Sequence, residues 1–146
     1  MEERKAHILE AAIRTISRYG VRRTSVADIA NEAGVARQTV YNAFADKDTI
    51  LKETVNFVYA QTFKQIKAEL KEVDRLDQQL DIFIEHLAVK KYELTNSSPE
   101  AEDIVTGFNE VAQEEIQNGI EASRALIEST LRPHAKAIRS AGMSVV

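Results

Sequence analysis

Apolar residues recur every three or four positions in the first segment of the chain, as they do on one face of an α-helix. They are Ile8, Leu9, Ala12, Ile13 and Ile16. Gly20 follows, at a position where a left-handed glycine commonly ends a helix. The pattern therefore predicts a first helix over residues 3–19.

Two shorter amphipathic segments follow and are joined at Gly34. Ser25 and Asp28 have the spacing of a capping box, so a helix begins after Ser25. Its apolar face consists of Val26, Ile29, Ala30 and Ala33. A second short helix is predicted over residues 37–44. Two short helices joined by a tight turn and supported by a first helix match the helix-turn-helix arrangement, whose second helix enters the DNA major groove.

The rest of the chain shows longer apolar stripes. One stripe predicts a helix over residues 48–72, and the next helix is expected to be capped by Asp74 with Asp77 and to run toward Leu94. Ser98 and Pro99 resemble an N-cap and the first helical position of a further helix. One or two helices complete the chain, with Gly107, Gly119 and Pro133 as candidate breaks and Gly142 as the final stop.

Composition agrees with an all-α fold, because five Gly and two Pro in 146 residues are too few for the turns of a β-sandwich or barrel. The absence of Cys excludes disulfides, thiolate zinc sites and cysteine nucleophiles. The formal net charge of -4 does not by itself indicate a protein that binds nucleic acid. However, residues 1–48 carry 8 Lys+Arg against 7 Asp+Glu, or +1, while residues 49–146 carry 11 against 16, or -5. The N-terminal third could therefore approach phosphate.

No apolar run approaches the roughly 18 residues of a membrane span, and the N-terminus lacks a signal-peptide pattern. We therefore expect a soluble, cytoplasmic protein without membrane partners.

The sequence lacks several motifs that are typical of enzymes. Di-metal carboxylate bundles use Glu-x-x-His pairs. The residues three positions before His7, His86 and His134 are Arg4, Phe83 and Leu131, so none of these histidines belongs to such a pair. Phosphate-binding loops, zinc-protease helices and nucleophile elbows do not occur either. We expect no enzymatic activity, no metal and no cofactor.

The helix-turn-helix segment closely resembles the DNA-binding domain of the TetR family of transcriptional regulators. The resemblance covers residues 4–52 and rests on the run Gly20-Val21-Arg22-Arg23-Thr24-Ser25-Val26-Ala27-Asp28-Ile29-Ala30, then Ala33-Gly34-Val35, Thr39-Val40-Tyr41, Phe44 and Lys47. It implies a DNA-binding domain over residues 1–48, with the helix-turn-helix at about residues 25–45, and a helical effector-binding and dimerisation domain over residues 49–146.

The same resemblance implies roles for eight residues. Thr24, Ser25, Tyr41 and Lys47 would contact the DNA backbone and position the domain. Arg37, Gln38, Thr39 and Asn42 fall on the recognition helix, where Arg suits guanine edges and Gln or Asn suits adenine edges. The family usually has Ser or Thr at the position of Ala36, so this helix lacks a preferred N-cap.

Residues 49–146 carry a less specific signal. Phe63, Phe83, His86 and Phe108 are candidates for an effector pocket between helices, although aromatic residues on helical stripes are more often core residues. Family members usually continue for two more helices that form much of the dimer interface. Either the sequence is C-terminally truncated, or the chain dimerises through residues 116–138. Both alternatives predict a homodimer on a palindromic operator.

The sequence thus predicts a DNA-binding repressor that a small-molecule effector releases from its operator. The alternative is a helical protein-protein adaptor in which the helix-turn-helix is vestigial. Salt-sensitive DNA binding would distinguish the two.

Overall fold

The computed structural model describes residues 2–142, which fold into α-helices without a β-strand in that range, as the sequence predicts. The helices are α1 (Glu2–Arg23), α2 (Val26–Ala33), α3 (Arg37–Ala43), α4 (Lys47–Leu70), α5 (Leu76–Ile84), α6 (Lys90–Asn96), α7 (Ala101–Val111), α8 (Gln113–Leu131) and α9 (Ala135–Ser140). A π-helical segment, Glu85–Val89, joins α5 to α6, and a 3-10 turn, Arg132–His134, joins α8 to α9.

Helix α1 extends beyond its predicted end and is kinked at Gly20. Gly20 has φ 82° and ψ 174°, a conformation that side-chain-bearing residues rarely adopt. A Cβ atom at this position would also collide with the carboxylate of Asp103 on α7. Gly20 therefore bends the chain, and its lack of a side chain allows α7 to pack closely against α1.

The predicted helix-turn-helix geometry is present. The Ser25 hydroxyl accepts a hydrogen bond from the Asp28 amide at 3.1 Å, and the Ser25 amide donates to the Asp28 carboxylate at 2.8 Å. The predicted capping box is thus formed. Gly34 ends α2 in the left-handed conformation, with φ 67° and ψ 31°. The Asp46 carboxylate caps α4 by accepting from the Thr49 amide at 2.7 Å.

Helix α1 is the centre of the N-terminal core, because it packs against α2, α4 and α7. Its buried residues include Ile8, Leu9, Ala11, Ala12 and Ile16. The other short helices contribute Ile29, Ala30, Val40 and Phe44. Partly buried side chains of α7, among them Ile104 and Phe108, pack against the same cluster. The three-helix unit therefore shares its core with a later helix.

Two predicted helix starts are wrong. Arg75, not Asp74, precedes α5, and no side chain caps that end. Helix α7 begins at Ala101, so Ser98 and Pro99 lie in the preceding loop. The buried Ser98 hydroxyl still accepts from the Glu100 amide at 3.1 Å in the turn before α7, and it donates to the carbonyl of Ser17 on α1 at 2.7 Å. The bond to Ser17 joins segments that are distant in sequence, and local spacing does not reveal such a contact.

Two glycines expected as candidate breaks lie inside helices. A Cβ atom at Gly107 of α7 would collide with the Val21 side chain, and one at Gly119 of α8 would collide with the Tyr59 ring. Both glycines therefore allow close helix packing. The break between α7 and α8 occurs instead at the fully buried Ala112.

The third candidate break and the predicted final stop are present. Pro133 lies in the 3-10 turn between α8 and α9. Gly142, with φ 78°, follows α9.

We predict that Gly119→Ala destabilises the protein by about 1–3 kcal/mol, because the added methyl group overlaps the Tyr59 ring. Helix propensity alone would change stability in the opposite direction by about 1 kcal/mol. Urea-induced unfolding measures the difference. Asn118→Ala, at an exposed neighbouring position, is the control and should leave stability nearly unchanged or higher. A stabilising Gly119→Ala would contradict the close packing of α4 and α8.

Candidate nucleic-acid interface and ligand cavity

Helix α3 is held by two apolar anchors and presents polar side chains to solvent. Val40 is fully buried and Phe44 is 4% exposed, so both fix α3 to the N-terminal core. Four of the predicted site residues on this helix are exposed: Arg37, Gln38, Tyr41 and Asn42. The fifth, Thr39, is half-buried. Helix α3 therefore presents four of its five predicted polar residues to solvent.

These exposed side chains are ordered by pairs one helical turn apart. Arg37 Nη2 donates to the Tyr41 hydroxyl at 3.3 Å, and the guanidinium carbon lies 5.6 Å from the centre of the Tyr41 ring. Gln38 Nε2 donates to Asn42 Oδ1 at 2.9 Å. Side chains at this spacing stabilise a helix and restrict one another's rotamers. The polar face of α3 is thus partly organised without a ligand.

The start of α3 lacks a side-chain cap. Ala36 occupies the N-cap in an extended conformation, with φ -67° and ψ 145°, and no side chain accepts a bond from the first amides of the helix. This is the departure from the family pattern noted in the sequence. Helix α3 is therefore held in place by the burial of Val40 and Phe44 and not by an N-cap.

Thr24 does not present its side chain as the resemblance implies. The residue is 2% exposed, and its hydroxyl donates to the Gly20 carbonyl at 2.6 Å. It thereby satisfies a backbone acceptor at the kink of α1. Its hydroxyl is not displayed at the surface.

Ser25 and Lys47 lie at the edge of the same surface. Ser25 is exposed, and its hydroxyl and amide hold Asp28, which lowers the pKa of that carboxyl. Lys47 is half-buried, and its Nζ donates to the Val21 carbonyl at 2.5 Å. Its ammonium group therefore joins the start of α4 to the end of α1, close to the first turn of α2.

A cavity of about 600 Å³ lies between α1, α4, α6, α7 and α8. This volume falls within the range of small-molecule sites. Of the four predicted ligand residues, His86 and Phe108 line the cavity. Phe63 and Phe83 do not: Phe63 packs on Tyr59 with ring centres 5.8 Å apart, and Phe83 is a core residue with 4% exposure. The apolar pattern that selected these residues cannot tell a cavity wall from a core.

His86 lies in the π-helical segment, with 2% of its side chain exposed. Its Nε2 lies 2.8 Å from Oε1 of Glu69 on α4. A π-helical turn adds one residue to the helical repeat and rotates the side chains that follow it. The segment thus directs His86 toward α4 and places later residues on the cavity wall.

Several wall residues were not predicted. Ile13, Ile16 and Ser17 come from α1, which the sequence assigns to the DNA-binding domain. Lys90 and Lys91 also line the cavity. Both lysines are exposed to solvent, and both follow the π-helical segment at the start of α6.

The segment that carries α1 to the start of α4 matches a known family. Residues 8–54 match the family model described as bacterial regulatory proteins, tetR family. Over this segment the chain is similar to TetR-family regulators. The resemblance drawn from the helix-turn-helix residues is thereby confirmed.

The similarity to curated relatives lies in the N-terminal part of the chain. The chain is 35% identical over 78 residues to the uncharacterized HTH-type transcriptional regulator YvdT of Bacillus subtilis, which is 53% of this chain and 40% of that protein. It is 42% identical over 52 residues to the HTH-type transcriptional regulator AcrR of Shigella flexneri, which is 36% of this chain and 24% of that protein. The matches thus span less than half of the length of these relatives.

Similarity to solved structures extends over most of the chain. The fatty acid degradation regulator FadR from Bacillus halodurans superposes with a TM-score of 0.68, covering 92% of this chain and 69% of that one at 20% identity. At this identity the likeness shows the all-α fold alone.

No helix within residues 2–142 is long and apolar enough to span a membrane. No group of three or more His, Asp or Glu side chains in that range is placed to hold a metal ion.

We predict that Ala36→Ser raises the free energy of unfolding by about 0.5–2 kcal/mol, because a hydroxyl at this extended N-cap can accept from the first amides of α3. Urea-induced unfolding measures the gain, and hydrogen exchange at the Thr39 amide locates it. Ala36→Val, which adds no acceptor, is the matched control. Equal effects of the two substitutions would show that capping is not the cause.

We further predict that Ser25→Ala raises the pKa of Asp28 toward its ordinary value of 3.8. In the folded protein that pKa is lowered, chiefly by the Ser25 hydroxyl. Ionised Asp28 therefore contributes stability that is present above pH 3.8 and is lost as the pH falls through the lower folded value. The loss of stability on substitution should accordingly be larger at neutral pH than below both values.

Carboxyl-carbon NMR titration of Asp28 measures the shift. Thr49→Ala, which removes a matching hydroxyl from Asp46 instead, is the control and should leave the pKa of Asp28 unchanged. An unchanged Asp28 titration in Ser25→Ala would contradict the assignment.

Proposed function

We propose that the chain is a dimeric repressor whose helix α3 enters the DNA major groove of a palindromic operator, and that a small molecule in the cavity releases it. Residues 1–48 would form the DNA-binding domain and residues 49–146 the effector-binding and dimerisation domain. The observation that carries the proposal is the polar face of α3, in which Arg37 and Gln38 are exposed while Val40 anchors the helix.

The side chains of α3 have the chemistry of base readout. An Arg guanidinium binds two acceptors of guanine, and Gln or Asn amides pair with adenine. Arg37, Gln38, Thr39 and Asn42 would therefore select the operator. The pairing of Gln38 with Asn42 at 2.9 Å orients both amides before DNA arrives and reduces the ordering cost of binding.

The positioning contacts would come from the edge of this surface. Tyr41, Lys47 and Ser25 can reach phosphate oxygens, which fix a domain on the duplex without reading sequence. For Thr24 we propose a different role from the one that the family resemblance implies. Its buried hydroxyl holds the Gly20 carbonyl, so Thr24 supports the start of α2 from beneath.

Two helices join the cavity to this surface. Helix α4 begins at Lys47 and lines the cavity from Thr54 onward. Helix α7 lines the cavity through Phe108 and contacts Val21 at Gly107. We propose that an effector shifts α4 and changes the separation of the two recognition helices in the dimer. Such a shift would alter the population of the DNA-binding conformation.

The proposal is tested by selecting fragmented genomic DNA on the purified protein at about 50 and 200 mM salt and sequencing what stays bound. Recovery of a palindrome at the higher salt would support specific dimeric readout. Binding that the higher salt abolishes would count against it and favour a helical adaptor with a vestigial helix-turn-helix.

On the selected operator, we predict that Arg37→Ala costs about 1–3 kcal/mol of binding free energy and relaxes base preference at one position. Fluorescence anisotropy with operator variants measures both effects. Arg124→Ala removes the same charge from an exposed position of α8 and is the matched control. Equal weakening by the two substitutions would indicate a nonspecific charge effect and contradict base readout by Arg37.

A further inference from the structure

The charged side chains on the cavity wall have one sign. Lys90 and Lys91 both line the cavity, whereas none of its lining residues is Asp or Glu. This is unexpected for a chain with 23 acidic and 19 basic residues, whose acidic excess lies in residues 49–146. Within residues 2–142, neither lysine is paired with a carboxylate. Their positive charge is therefore available to a ligand.

Tyr59 holds one of the two ammonium groups against the wall. Lys91 Nζ donates to the Tyr59 hydroxyl at 3.5 Å and lies 5.7 Å from the centre of its ring. Tyr59 is fixed in turn by close packing against Gly119 of α8. Lys91, Tyr59 and Gly119 from three different helices thus orient an exposed ammonium group beside the cavity.

Glu69 contacts a residue of the cavity wall but does not belong to the wall. Its Oε1 lies 2.8 Å from Nε2 of His86. The lining from α1 and α7 is mostly apolar, with Ile16, Ile104 and Phe108 among it, and Ser17 and Asn109 are its polar members. The cavity therefore combines an apolar interior with a cationic side.

We infer that the cavity binds an amphipathic anion, with its apolar chain among the α1 and α7 side chains and its carboxylate or phosphate at Lys90 and Lys91. The inference rests on the proposed function, because it names the chemical class of the effector for the same cavity. An anionic end forms charge-assisted hydrogen bonds with ammonium groups, which are stronger than bonds between neutral groups. A cationic ligand would meet two like charges and no carboxylate.

The test compares three probes with the same twelve-carbon chain and different ends: dodecanoate, methyl dodecanoate and dodecyltrimethylammonium. Affinities are measured on the full chain, below the micelle concentrations, by displacement of a neutral naphthylamine dye. We expect dodecanoate to bind about tenfold more tightly than its methyl ester and the ammonium probe to bind most weakly. Dodecyl phosphate, run alongside, should follow dodecanoate.

The double variant Lys90→Gln/Lys91→Gln assigns the effect to the two lysines. It should weaken dodecanoate about tenfold and leave methyl dodecanoate unchanged. Lys64→Gln/Lys67→Gln removes the same charge from exposed positions of α4 outside the cavity and should change neither affinity. Circular dichroism confirms that both variants are folded.

Equal or tighter binding of the methyl ester or the ammonium probe would overturn the inference and leave an effector cavity in place. Equal loss of dodecanoate affinity in both double variants would overturn it too, because the lysines would then act only through net charge. Binding of no probe would also overturn it. The operator selection needs no effector, so it tests the DNA-binding proposal separately.

Discussion

The close contact between α1 and α7 is the constraint on which the arrangement of this molecule depends. At Gly20 and at Gly107 a single added methyl group would overlap the opposite helix. Asp103 of α7 accepts from the Arg22 amide at 3.1 Å, and Ser98 donates to the Ser17 carbonyl at 2.7 Å. Close packing and hydrogen bonds between side chains and backbone groups therefore fix α7 and the loop before it against α1. Helix α1 consequently belongs to the core of the three-helix unit and to the wall of the cavity.

This constraint explains which features the sequence could predict. The capping box at Ser25 and the left-handed Gly34 depend on residues four or fewer positions away, and both are present as expected. The helix break at Ala112 and the position of Ser98 depend on contacts between distant segments. Local spacing carries no information about such contacts. The start of α7 predicted from Ser98 and Pro99 therefore precedes the observed start at Ala101.

In the candidate sites, too, features set by local pattern were predictable and features set by distant contacts were not. The polar residues of α3 were predicted because a short amphipathic helix displays its polar face wherever its apolar residues are anchored. The cavity was predicted in part, with His86 and Phe108 on its wall and Phe63 and Phe83 elsewhere. Helical periodicity indicates that a side chain faces inward. Whether it faces packed atoms or a cavity depends on the π-helical turn and on the helix crossings.

The shared role of α1 also bears on how the two proposed sites would communicate. The Val21 side chain lies against Gly107 of α7, and the Val21 carbonyl accepts from Lys47 at the start of α4. Helices α4 and α7, two of those that line the cavity, thus both contact Val21, a short distance from the helix-turn-helix. A packed contact of this kind transmits displacement because it cannot be compressed without cost. We therefore expect any ligand that separates α4 from α7 to change the position of Lys47, and with it the orientation of the polar face of α3.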